Sequence, residues 1–210
     1  MPVPAGGGSV TEPDLLATTS DLAAVLQIAE ADLKTSTAQV LLETATAVVQ
    51  AVTGQRIVEV VDDEVVLDAD EFDGGLYLNL PQRPVTAVGA VLVGATAVTD
   101  FSSQLRRSRL YRAGGWRSAN CWSSPSTVTV TYTHGYPEGD QRLQMARAAV
   151  LSLAAGAYVN PSGAVRTQLD DYSVAYEAMS SRLEASPFLI AALRKQYGRP
   201  PGAVRLLSSR

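Results

Sequence analysis

A chain of 210 residues with 46% hydrophobic residues is long enough to bury one large core or two small ones. Much of that apolar content is Ala and Val, with only three Phe and two Trp, so the core is thin per residue and a partner surface is expected to complete it. The net charge of −4 is split: residues 1–80 hold 14 acidic against 2 basic side chains, and residues 81–210 hold 7 against 15. The total is too acidic for a general nucleic-acid binder, while the asymmetry reads either as solvated surface of both signs or as head-to-tail association of an acidic face with a basic one.

Cys121 is the only cysteine, which excludes an intrachain disulfide and fits a reducing compartment. Met1–Val10 is rich in Pro and Gly, with neither a cationic region nor an apolar run, and does not read as a signal peptide. No apolar stretch approaches the ~18 residues of a membrane span.

Taken in chain order, residues 1–19 read as a flexible arm. Ser20 is expected to cap a helix carrying Leu22, Val25, Leu26, Ala29 and Leu33. A second helix opens on a capping-box pattern, Ser36 with Gln39, presents Leu41, Ala45, Val48 and Val52 on one face, and closes at Gly54. Strand signals follow. Ile57–Val61 and Glu64–Leu67 read as two short strands around an Asp62-Asp63 turn. Leu76–Leu80, Pro84–Val93, a hairpin through Gly94-Ala95 into Thr96–Thr99, and Arg109–Arg112 come next. Ser126–Thr133 is the clearest strand: Val128, Val130 and Tyr132 alternate with Thr127, Thr129 and Thr131.

Helical spacing returns with Leu143, Ala146, Val150, Leu153 and Ala157, whose small residues allow close helix packing, and stops before Asn160-Pro161. Pro161–Asp171 reads as a loop and Tyr172–Tyr176 as a strand. Ser186-Pro187 is expected to cap a last helix carrying Leu189, Ile190, Leu193 and Tyr197 and ended by Gly198. The whole reads as α+β: a helical bundle base (20–55 and 137–197), an inserted antiparallel β-domain (56–136), and extended terminal segments, the C-terminal one being 198–210.

Chemistry is sparse. Asp68–Gly74 resembles a calcium loop, but Phe72 and Asn79 occupy ligand positions, so a solvated turn is the better reading and no metal is expected. His134, the only histidine, ends the alternating strand and reads as a turn residue, since no motif supplies a serine and acid to make a triad. Cys121 has no histidine near it in sequence, and Asp170-Asp171 has no second acidic cluster. Gly6-Gly7-Gly8-Ser9 lacks the lysine of a phosphate loop. Gly114-Gly115-Trp116 reads as a hairpin tip that packs its Trp; a sugar-binding face made from Trp116, Trp122 and Tyr111 is the competing reading. No catalytic residue and no cofactor are expected.

Two basic elements remain. Arg106, Arg107 and Arg109, with Arg112 and Arg117 nearby, form the densest patch and are expected to face a neighbouring copy or a partner. Beyond Arg199-Pro200-Pro201, the tail combines Val204, Leu206 and Leu207 with Arg205 and Arg210, a composition suited to a segment that orders on a partner.

The order of these pieces resembles the head–tail connector, or adaptor, proteins of long-tailed double-stranded DNA bacteriophages, over about Asp21 to Tyr176. The resemblance rests on Val52-Thr53-Gly54 closing the helical opening, Leu80-Pro81-Gln82-Arg83-Pro84-Val85 with its hairpin, Val130-Thr131-Tyr132-Thr133-His134-Gly135-Tyr136-Pro137 leading into an Ala-rich helix, and Asp171-Tyr172-Ser173-Val174-Ala175-Tyr176. It implies a structural, non-enzymatic protein of the virion neck, assembled in the bacterial host cytoplasm. It implies a ring of about twelve copies, bound by portal protein above and by a stopper or tail-completion protein below. DNA would pass through its lumen without sequence-specific binding, and no membrane is involved. The tail residues Arg199, Val204, Arg205, Leu206, Leu207 and Arg210 match by position the segment that engages portal, and the acidic first half is a candidate lumen lining. Another neck or tail component, such as a stopper, fits the same pieces.

Overall fold

The computed structural model describes residues 15–68, 75–116, 127–160, 179, 181, 183, 184 and 186–198. The described chain is α+β, with two hydrophobic clusters, one helical and one between sheets.

Helix α1 spans Thr19–Leu26. Its cap is Thr18 rather than Ser20. A capping box needs an acid or amide three residues on, and Thr18 has Asp21 there whereas Ser20 has Ala23. The Asp21 N–H donates to Thr18 Oγ1 at 3.2 Å, and the Thr18 N–H donates to Asp21 Oδ2 at 2.8 Å. The helix also stops earlier than its apolar spacing suggests, because Gln27 turns left-handed (φ 58°) and caps it. Helix α2, Thr35–Thr53, starts one residue before the expected Ser36 cap, so the Ser36–Gln39 box does not form. Gln39 instead donates to Glu43 at 3.2 Å, and the Lys34 N–H just before the helix donates to the Tyr158 hydroxyl at 3.1 Å. A tertiary partner has replaced the local cap. Gly54 ends α2 as expected, at φ 65°.

Helix α3, Gln144–Val159, packs along α2 through Ala146, Ala149, Val150, Leu153, Ala154 and Ala157. Facing Ala38, Leu42, Ala45 and Val49, these small side chains let the two backbones approach closely. Helix α4, Pro187–Tyr197, carries Pro at its first turn, but Ser186 makes no side-chain cap bond. It closes the cluster with Leu193 and Tyr197, whose hydroxyl donates to the Arg142 carbonyl and accepts from the Ala146 N–H at 3.3 Å. Helical Met179 and Leu183 lie in the same core.

The β elements are β1 (Val60–Asp68), β2 (Tyr77–Asn79), β3 (Val85–Val93), β4 (Thr96–Ala97), β5 (Ser102–Gln104), β6 (Arg109–Tyr111) and β7 (Thr127–His134). They make two antiparallel sheets, ordered β1-β7-β3-β4 and β2-β6-β5. The two strands expected around Asp62-Asp63 are one strand, because Asp62 takes a left-handed conformation (φ 53°) and forms a bulge rather than a turn. Alternation then sets the faces. Val65 and Leu67 of β1, Val91 and Val93 of β3, and Val128, Val130 and Tyr132 of β7 point inwards onto Leu78, Leu80, Leu110 and Trp116.

The helical and β clusters are stitched together just after α2. Gln55, buried at 3% exposure, donates to the Pro81 carbonyl at 3.1 Å and accepts from the Arg83 N–H at 2.7 Å. The Arg56 N–H donates to Gln82 Oε1 at 2.8 Å. On the other side, Tyr136 exchanges backbone bonds with Ile57 and Glu59, each 2.9 Å. Gly135 sits where this crossing is tightest: at φ 93°, an added Cβ would lie 2.3 Å from the Val58 carbonyl oxygen.

Candidate interaction surfaces

The basic patch divides once folded. Leu105–Arg107 is a single 3-10 turn between β5 and β6, with Leu105 packed on the β core. Buried Ser108 anchors it from below at φ 49°: its N–H donates to the Leu105 carbonyl at 2.9 Å, and its own carbonyl accepts from Leu80 at 2.8 Å. That anchoring leaves Arg106 and Arg107 exposed on a rigid base. Arg109 behaves differently. Its Nε donates to Gln104 at 2.6 Å, and its guanidinium lies 4.2 Å from the centre of the Tyr77 ring, so it is half-buried on β6. Arg112 pairs with Asp100, with both carboxylate oxygens within 3.1 Å of Nε. Arg106 also lines a groove of about 440 Å³ between the sheets and the helical base, with Arg83, Thr86, Tyr136, Arg142 and Tyr197. There Arg142 is held by Asp140 at 2.6 Å and stacks 4.5 Å from the Tyr136 ring centre. The same pairing holds the Asp140 carboxyl below its ordinary range.

Acidic character gathers on the opposite margin of the larger sheet. Inward-facing Val65 and Leu67 force Glu64, Val66 and Asp68 outwards. In register beside them stand Thr129 and Thr131 of β7, then Leu92 and Ala90 of β3. Neither β1, β3, β4 nor β7 contains a Lys or Arg. The outward face is therefore acidic and small-residue in character, and β1 is an edge strand among the described residues. Val61 and Val66 on that strand are 66% and 61% exposed.

His134 is not a turn histidine. It closes β7 with its side chain fully buried and Nε2 3.0 Å from Asp63 Oδ2. Alternation with Val65 and Leu67 puts Asp63 on the inner face opposite Tyr132, where Arg56 Nη1 also lies 3.7 Å from Oδ1. This knot joins the exit of α2 to β1 and β7, which is a structural task. Beside it, burial pushes the Tyr132 phenol up to about 12. On α1, burial raises the Asp21 carboxyl but the bonds from Arg147 and Thr18 outweigh it, and the group sits below its ordinary value.

The remaining expectations separate cleanly. Trp116 is fully buried, its Nε1 donating to the Leu76 carbonyl at 3.2 Å, so it cannot present a face to a sugar. Among the described residues no group of three His, Cys, Asp or Glu could hold a metal, and no helix is long and apolar enough to cross a membrane. The tail residues Arg199, Val204, Arg205, Leu206, Leu207 and Arg210 lie outside the described residues. So do Arg117, Cys121, Trp122, Asp170-Asp171, the Tyr172–Tyr176 strand, and most of the Asp68–Gly74 loop. The outward acidic row was the surface that motif reading missed; its signal was the spacing of Asp62, Glu64 and Asp68 in strands devoid of basic residues.

No family model matches this chain, and no curated protein gives a significant match. Solved structures do. A chain in the virion of a native gene transfer agent (GTA) particle superposes with a TM-score of 0.60 at 20% identity, covering 95% of this chain and 96% of that one. A chain in the neck of an empty GTA particle, computed with C6 symmetry, gives 0.54 at 20% identity, covering 80% of this chain and 90% of that one. At this identity the likeness establishes a shared fold.

Proposed function

We propose that this chain is a non-enzymatic structural component of the neck of a phage-like particle, an adaptor that forms a ring between the DNA-filled head and the tail. The observation that carries this reading is the fold shared, nearly end to end, with a chain of a gene transfer agent virion, a second likeness being to a chain of a particle neck. The structural use of His134 and Trp116 accords with it. A sequence built of Ala-rich helices and oppositely charged margins supplies heterologous contacts, which close into a ring when the rotation per subunit divides a full turn. In this reading the ring holds about twelve copies, DNA passes through its lumen, and the tail from Arg199 to Arg210 engages the portal protein through Val204, Leu206 and Leu207 flanked by arginines.

The test is binding to portal-bearing heads. Full-length chain should co-sediment with them. A chain ending at Gly198 should keep its circular dichroism and melting temperature but fail to bind. Undiminished binding by the shortened chain would refute the tail assignment. Full-length chain that ignores heads yet binds tail components would replace the adaptor reading with a stopper-like one.

A further inference from the structure

The larger sheet has two margins of different character. One is the acidic β1 edge and outward face described above. On the far side of β7, beside the first half of β3, stands the rigid Leu105–Arg107 turn with Arg106 and Arg107 exposed. An open strand edge carrying exposed valines is a pairing hazard that proteins control with charge. Here the charge is all negative, so two β1 edges placed against one another repel, and a two-fold symmetric pairing of this face with itself is disfavoured. What the face does accept is a cationic, compact element that leaves Val61 and Val66 covered. The Arg106–Arg107 turn is an exposed cationic element anchored by buried Ser108, and it lies beside the start of β3, on the opposite margin from the acidic row of its own chain.

We propose that the outward face of β1, through Asp62, Glu64 and Val66, is the docking surface for the Arg106–Arg107 turn of a second copy of this chain. This inference rests on the ring reading, since it supplies one of the head-to-tail contacts that a ring needs. Each subunit offers one acidic and one basic margin, so every contact leaves one of each free for the next copy. Arg109 is a positioning residue in this arrangement: pinned by Gln104 and Tyr77, it holds the turn's C-terminal side while the two preceding arginines reach outwards.

Two full-length variants test it in particles. The first is Arg106→Glu with Arg107→Glu. The second is Asp62→Asn with Glu64→Arg, asparagine being chosen because it tolerates the left-handed backbone at position 62. All altered side chains are exposed, and both variants should melt within a few degrees of the unaltered chain. Each alone should reduce the copies of the chain in purified necks by about tenfold or more, with the loss growing as salt is lowered, because like charges then face each other. Expressed together they should restore incorporation, since each carries the charge that the other now lacks. Full incorporation of the second variant alone, as expected if the acidic row only lined a channel, would overturn the contact. So would failure of the pair to restore it while both remain folded. If the unaltered chain is absent from necks altogether, the neck reading itself fails. The purified variants mixed in solution then decide the contact alone: association only in the mixture supports it, and monomers throughout overturn it.

Discussion

Gly54 and Gly135 both need positive φ, yet they do different work. At Gly54 nothing lies within 4 Å of an added Cβ, so the residue serves only to end α2. At Gly135 the added Cβ collides with the Val58 and Glu59 backbone, which has nowhere to go because that segment is bonded to Tyr136. Gly54→Ala should therefore cost about 1 kcal/mol, the ordinary left-handed penalty. Gly135→Ala should cost at least about 2 kcal/mol more, since strain and clash combine where helix and sheet join. Urea denaturation of the two variants compares them directly, and equal losses would show that the crossing at Val58 relaxes freely.

Among the elements, α2 and α3 depend on how little their side chains protrude. Ala38, Ala45, Ala146, Ala149 and Ala154 are all buried, in an interior packed at close density. Ala149→Leu should overpack this contact and lower stability by about 1–3 kcal/mol. Ala155→Leu, on a partly buried position of the same helix, should cost less, and thermal melts of the pair measure the difference. Helix spacing in the sequence located these helices. It misplaced the caps of α1 and α2, because capping is decided by what lies three residues on, as at Thr18, or by a distant partner, as with Tyr158 at Lys34.

For the whole molecule, the question is whether the helical and β clusters behave as one. Gln55 is the hinge pin, its amide bonded on both sides to the Pro81–Arg83 segment. Gln55→Ala would remove the amide that bonds the half-buried Pro81 carbonyl and Arg83 N–H, and should cost about 1–3 kcal/mol. It should also loosen the coupling. Unfolding followed by Trp116 in the β cluster and by far-ultraviolet circular dichroism, dominated by the helices, should coincide in the unaltered chain and separate in the variant. Coincident transitions in the variant would mean that the remaining links, Arg56 with Gln82 and Tyr136 with Ile57 and Glu59, suffice to hold the two clusters together.

Much was legible from residue order alone. Period-two alternation in Thr127–His134 announced a central strand with one buried face, and the helices that follow were readable from Ala-rich 3.6-residue spacing. The α+β class, the hairpin at Gly94 and the closing glycine of α2 also follow from local chemistry, because a turn or a cap is settled by neighbours a few residues away. Tertiary structure alone decided the rest. His134 looked like a turn residue until the pairing of β1 with β7 set Asp63 beside it. Arg109 looked equivalent to Arg106 until Tyr77, more than thirty residues away in sequence, captured it. The acidic row acquired an outward direction only once Val65 and Leu67 had found the core. Which polar groups are buried, and which charges remain available to another molecule, depends on contacts between segments remote in sequence, and no local pattern encodes those.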